Sequence, residues 1–164
     1  MQAKDVANNA LVSTQHMVQM YLNDLSDADL LVRPVPNANH IAWQIGHLIG
    51  AEKMLLDGLL PGVKYPEIPA SIMSLRAGKD APPPPTTGYL TKTEYLDLFN
   101  KVRAATIAAV DKLTDSDLDR PNIKALQEFA PNLGAMLILV ANHTLMHAGQ
   151  FTVVRRALNK PVLF

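Results

Sequence analysis

The chain has 164 residues, a length that suits one domain. Hydrophobic residues make up 48% and charged residues 18%, so a sizeable core can form and wholesale disorder is excluded. Fifteen basic side chains balance fifteen acidic ones, which excludes a dedicated basic surface for nucleic acid and removes the self-repulsion that keeps copies apart, so a homodimer is expected. The chain has no cysteine, hence no disulfide, no thiolate metal ligand and no catalytic thiol of its own.

The first residues, Met1 to Asp5, lack the apolar stretch of a signal peptide. The longest apolar run, residues 135–141, is too short to span a membrane. These features predict a cytoplasmic protein with no membrane partner. A chain whose leader had been removed would read the same.

Helical periodicity predicts a first helix over residues 4–24, with Val6, Ala10, Met17, Met20 and Tyr21 on one stripe and His16 within it. Ser26 to Asp29 reads as a helix start that opens a short turn through Leu31. Pro34 and Pro36 then force an extended segment. A second helix is expected over residues 40–60, capped by Asn37 or Asn39. Its apolar positions include Trp43 and Met54, and His47 lies one turn after Trp43. Gly50 and Ala51 leave room for close approach by a helix or ligand.

Residues 61–90 carry Pro61, Pro66, Pro69 and the run from Pro82 to Pro85. They read as a long crossover with one short helix over residues 71–77 and a stiff polyproline piece. Such a connection often borders a site. Thr91 or Thr93, with Glu94 behind it, starts a third helix over residues 91–113. Thr114 to Leu118 then echoes Ser26 to Leu30, a faint two-fold resemblance. Pro131 opens a last helix over residues 132–159, apolar all round from Ala135 to Ala141 and basic at Arg155 and Arg156. Four long helices without a convincing strand predict an all-α fold, a four-helix bundle forming one domain over residues 1–164.

The chemistry-bearing feature is the pair His143 and His147 within the last helix. Four residues is a little over one turn, so both rings leave one face, about 6 Å apart along the axis. Such a pair can close on one metal ion, or it can be two unrelated histidines satisfied within the core. As a half-site it needs a third ligand, and His47, on the inward stripe of the second helix, is the candidate. Neighbouring helices about 8–10 Å apart can bring three imidazoles together. Three neutral histidines leave a coordination position open, the composition of a catalytic metal site.

Two segments carry a family resemblance. One runs from Asn39 through His40, Trp43, Gln44 and His47; the other runs from His143 through His147, Gln150 and Phe151 to Arg155 and Arg156. With the ending Asn159, Lys160 and Pro161, they resemble the DinB/YfiT-like superfamily of metal-dependent proteins in length and motif order over essentially the whole chain. The resemblance implies a four-helix bundle with a long crossover between the second and third helices. It also implies a divalent ion, commonly nickel or zinc, held by His47, His143 and His147. Some relatives are thiol-dependent transferases or isomerases using glutathione, bacillithiol or mycothiol, so a low-molecular-weight thiol is an implied cofactor. The family name sets no reaction by itself.

Gln150, Gln44 and Asn142 could orient a ligand ring or a bound water, or merely cover polar surface. His16 and His40 read as surface or site-rim residues. Arg155 and Arg156 read as a solvated helix end, Trp43 and the methionines as core. Glu52 and Glu94 are candidate bases, although nothing in their spacing favours either over an exposed carboxylate. These features predict a metalloenzyme acting on a small molecule, either a thiol-dependent transferase or a hydrolase using a metal-activated water. The alternative is a non-catalytic, ligand-binding or stress-related dimer with a vestigial site.

Overall fold

A computed structural model describes residues 1–75 and 84–163. Among the described residues six α-helices form: α1 (Ala3–Leu22), α2 (Ile41–Leu56), α3 (Ala70–Met73), α4 (Lys92–Val110), α5 (Asp115–Leu118) and α6 (Leu133–Ala157). No strand forms among the described residues; a single bridge pairs Pro121 with Asn132.

The helix starts have local causes. Thr91 caps α4 by accepting from the Glu94 backbone N–H, while the Glu94 carboxylate accepts from Thr91 N–H at 2.8 Å. Asn132 caps α6 by accepting from the Ala135 N–H at 2.9 Å. The echoed segments share the same device: Ser26 exchanges hydrogen bonds with Asp29, and Thr114 does so with Asp117. Their likeness is thus explained by capping chemistry alone. One cap differs from expectation. His40, rather than Asn37 or Asn39, caps α2, its Nδ1 accepting from the Trp43 N–H at 3.2 Å. The helix also stops at Leu56 rather than near residue 60.

The four long helices pack in a ring, with α1 beside α6, α6 beside α2, α2 beside α4, and α4 beside α1. Two apolar clusters fill the bundle. One holds Val18 of α1, Ile45 and Ile49 of α2, Phe99 and Val102 of α4, and Phe151 of α6. The other holds Leu11 of α1, Leu56 of α2, Val110 of α4, and Met136 and Leu137 of α6. Helices α1 and α6 therefore rise from the second cluster to the first, whereas α2 and α4 descend. Two descending helices in succession require the chain to climb back the length of the bundle. That is why the connection between them is long. The short α3 rests on α2, where an added Cβ at Gly50 would lie 3.3 Å from the Ile72 carbonyl oxygen. Gly50 thus admits a neighbouring helix, one of the two uses its size allows. The expected short helix covers only Ala70–Met73; residues 76 and 77, and Pro82 and Pro83 of the polyproline run, lie outside the described residues.

Between the two clusters lies a polar layer. Arg103 of α4 is fully buried and donates through Nε to both Glu52 carboxylate oxygens at 3.1 and 3.0 Å. Its Nη1 donates to the Leu11 carbonyl at 2.7 Å and to Thr14 Oγ1 at 3.1 Å. Its Nη2 lies 2.9 Å from Glu52 Oε2 and donates to Thr144 Oγ1 at 3.0 Å. One guanidinium thereby joins all four helices, and each of its donors has a partner. Glu52 is 2% exposed, so neither alternative left open for it, candidate base or exposed carboxylate, describes it: it is the counter-ion of a buried cation.

Several other expectations change with burial. Arg155 is 2% exposed rather than solvated. It forms a forked pair with Asp24, with Nη2 donating to Oδ2 at 3.1 Å, and also donates to the Tyr21 carbonyl at 2.8 Å. Arg156 is exposed as expected. Val6, Met54 and Met146 are exposed, not core, although Trp43 and Met136 are buried. Helix α6 as a whole is long and apolar enough by composition to cross a membrane, but nearly half of its apolar window is buried in the bundle, as a core helix would be.

Candidate metal centre

His47 leaves α2 two turns after its start, and His143 and His147 leave one face of α6, its antiparallel neighbour. One nitrogen from each of the three rings lies within 4.8 Å of the others. The ring centroids are 5.1 Å apart for His47 and His143, 5.5 Å for His47 and His147, and 4.8 Å for His143 and His147.

Hydrogen bonds decide which nitrogen faces inward. Gln44 donates its amide N–H to the Asn39 carbonyl at 2.7 Å, which turns its Oε1 toward His147. His147 Nδ1–H donates to that oxygen at 2.9 Å, leaving Nε2 with its lone pair. His47 Nδ1–H donates to the Leu75 carbonyl at 3.1 Å, with the same result. Both rings are held in the tautomer that a metal ligand needs, each by an oxygen behind it. The third ring is half-buried, and its Nε2 lies 3.2 Å from that of His147.

That separation fits shared coordination. Two metal–nitrogen bonds of about 2.0–2.1 Å place their nitrogens roughly 2.9–3.4 Å apart for angles between square and tetrahedral. The electrostatics agree. Burial, then the neighbouring rings, lower the pKa of His143 to about 4 and of His147 to about 3. Both rings are therefore neutral near pH 7, the form that binds metal. Trp43 lies flat against His47, with centroids 5.0 Å apart and planes 12° from parallel. It shields one face of that ring, a role beyond filling the core.

The remaining candidates separate clearly. Gln44 is buried and meets a histidine; Asn142 and Gln150 are exposed and hydrogen-bond to none of the three rings. His16 is exposed. His40 is fully buried, correcting its reading as a surface or rim residue. With Nδ1 occupied by the Trp43 N–H, its Nε2–H donates to the Pro85 carbonyl at 2.8 Å, tying the crossover to the start of α2. Burial, the largest effect, lowers its pKa. Glu94 serves its helix cap. The Leu75 carbonyl left no trace in the side-chain pattern, because a backbone oxygen is common to every residue. The stacking of Trp43 was half visible, as its spacing from His47 puts both on one helix face.

The fold and this cluster define a class: a four-helix bundle with a long crossover and three inward histidines. The sequence profile of the DinB superfamily matches residues 10–151, and the chain belongs to that superfamily. No curated protein matches it. Among solved structures it is similar to a conserved protein from Enterococcus faecalis, with a TM-score of 0.69 and 15% identity over 98% of this chain and 99% of that one. That likeness concerns the fold.

Proposed function

We propose that His47, His143 and His147 hold one divalent ion, nickel or zinc, and that this centre catalyses a thiol-dependent group transfer to a small electrophile. The metal reading rests on one observation: two of three converging rings are locked by Gln44 and Leu75 in the tautomer that turns Nε2 inward. A satisfied core histidine has no need of two like neighbours facing it. The ion would supply Lewis acidity toward a thiol or a water. The protein holds His143 and His147 neutral by burial, orients His47 and His147 from behind and covers His47 with Trp43.

The preference for a thiol over hydrolysis rests on what stands near the rings. Apart from the three histidines themselves, neither α2 from Trp43 to Ala51 nor α6 from Leu139 to Phe151 carries an acidic or basic side chain. Glu52, the nearest carboxylate along α2, is locked in its pair with Arg103. A bound ion would lower the pKa of a water and of a thiol alike. With no free carboxylate or amine on these stretches to take the proton, the thiol is the easier of the two to ionise, because its free pKa is about 8.5 against about 15.7 for water. The cysteine-free chain requires that the thiol come from outside, and a cytoplasmic thiol pool suits it.

The test has two parts. Protein purified without an affinity tag is expected to carry one ion per chain, lost in both His47→Ala and His143→Ala; an ion retained by both variants refutes the ligand set. The loaded protein is then incubated with a small electrophile and each common low-molecular-weight thiol. Absence of turnover with nickel, zinc and manganese would leave a metal-binding protein without this activity.

A further inference from the structure

The outward face of a bundle helix is ordinarily charged. The last two turns of α4, residues 104–110, carry no charged side chain. Ala105, Ala108 and Ala109 of these turns line a cavity of about 540 Å³, within the range of roughly 300–1,000 Å³ common for small-molecule sites. Leu60 and Val63, from the connection after α2, and Leu113, from the turn after α4, complete its apolar lining. All three belong to the second apolar cluster or pack against it, whereas His47 lies between Ile45 and Ile49 of the first. The cavity is therefore at the end of the bundle away from the metal centre.

Three cations meet at this apolar lining, each from a different connection: Lys64 after α2, Lys112 after α4 and Arg120 after α5. The one carboxylate among the lining residues, Asp117, is already engaged. It accepts from the Thr114 N–H at 2.8 Å and from the Thr114 hydroxyl at 2.7 Å. Arg120 lies 3.8 Å from it and donates to the Asp117 carbonyl at 3.1 Å. The Lys64 and Lys112 ammonium groups are exposed and have no hydrogen bond or ion pair among the described residues. A helix C-terminus accounts for Lys112 and Arg120, but Lys64 stands well beyond the end of α2 at Leu56. In a chain of zero formal net charge, this cavity concentrates positive charge.

We propose that this cavity binds an aliphatic monoanion, a medium-chain carboxylate whose chain lies against the alanines and whose charge is met by Lys64 and Lys112. The lining selects against other anions. It has no aromatic side chain on which a base or ring could stack. It has no serine, threonine, asparagine or glutamine to hydrogen-bond a sugar. Burial of the chain supplies most of the affinity, because exposed ammonium groups attract a carboxylate only modestly. A concave site of this size suits a free ligand better than a membrane surface, which a protruding apolar face would meet. The proposal does not depend on the metal reading and is tested on metal-free protein.

Isothermal titration calorimetry of the full chain with octanoate should show binding at one site. Hexanoate, shorter by two methylenes, should bind roughly tenfold more weakly. At matched chain length 1-octanol should bind more weakly than octanoate, and octylammonium more weakly still. The double variant Lys64→Gln, Lys112→Gln should lose about tenfold in affinity for octanoate and nothing for 1-octanol. Arg156→Gln, exposed at the other end of the bundle, should change neither. Ala108→Leu keeps a strong helix former at an exposed position and occupies the cavity, so it should abolish binding of both; circular dichroism confirms the fold of each variant. Absence of octanoate binding, 1-octanol binding as tightly as octanoate, or full affinity in both the double variant and Ala108→Leu would each overturn the proposal. Binding to phosphatidylglycerol vesicles in place of free octanoate would overturn it as well.

Discussion

Gln44 shows how much a single uncharged side chain can govern. Its amide is aimed by the Asn39 carbonyl and in turn holds the Nδ1 proton of His147. Gln44→Ala should leave the helix intact and weaken metal binding about 10–100-fold, the usual effect of losing a partner behind a ligand. Competition with a chromophoric chelator measures this. The histidines also make the metal-free protein acid-sensitive. Their pKa values are about 4 and about 3 in the folded chain against about 6.5 unfolded. Below about pH 6.5 the unfolded chain therefore binds protons that the folded chain refuses, and stability falls as pH drops until the folded rings titrate. The urea midpoint of chelator-treated protein should be lower at pH 5 than at pH 7. The difference should shrink in the double variant His143→Asn, His147→Asn, with His40 contributing a remainder of the same sign.

At the scale of elements, the buried Arg103 is the joint on which all four long helices meet. Arg103→Ala would leave the Glu52 carboxylate uncompensated between two apolar clusters. A loss of about 3–5 kcal/mol is expected, read from urea unfolding. Replacing both partners, as Arg103→Met with Glu52→Leu, should recover most of that loss. The threonines of the layer retain acceptors for their hydroxyls, Thr14 at the Ala10 carbonyl and Thr144 at the Val140 carbonyl. A double variant as unstable as the single one would show that the layer contributes through more than its charge balance. Helix α6 offers a contrasting case. Gly149 is helical and open to solvent on its Cβ side, so Gly149→Ala should stabilise the protomer by about 0.5–1 kcal/mol.

For the whole molecule, the centre ties the descending α2 to the rising α6, and its carbonyl from Leu75 belongs to the crossover. A bound ion stabilises whatever state binds it. At a free concentration 100 times its dissociation constant the gain is about 2.7 kcal/mol, or a rise in Tm of roughly 5–10 °C for a chain of this size. Differential scanning calorimetry with and without nickel or zinc checks this. A shift that is absent from wild type, or unchanged in His147→Ala, would contradict the ligand set.

The elements and the three histidines were legible in the residue order because they depend on short-range physics. A capping threonine acts three residues away, and a helix puts residues four apart on one face. The topology could also be read, since a proline-rich connection of that length suits a climb along the bundle. Pairings between distant residues were not legible. Arg155 and Asp24 are far apart in the chain, as are Arg103 and Glu52, and each charge looks solvated until helix directions place its partner beside it. His40 looked like a surface residue because its burial comes from Tyr89 and Pro85, on the far side of the crossover. Tertiary structure alone decides such matters, because desolvation and a counter-ion's distance are properties of the assembled bundle, and no local segment carries either.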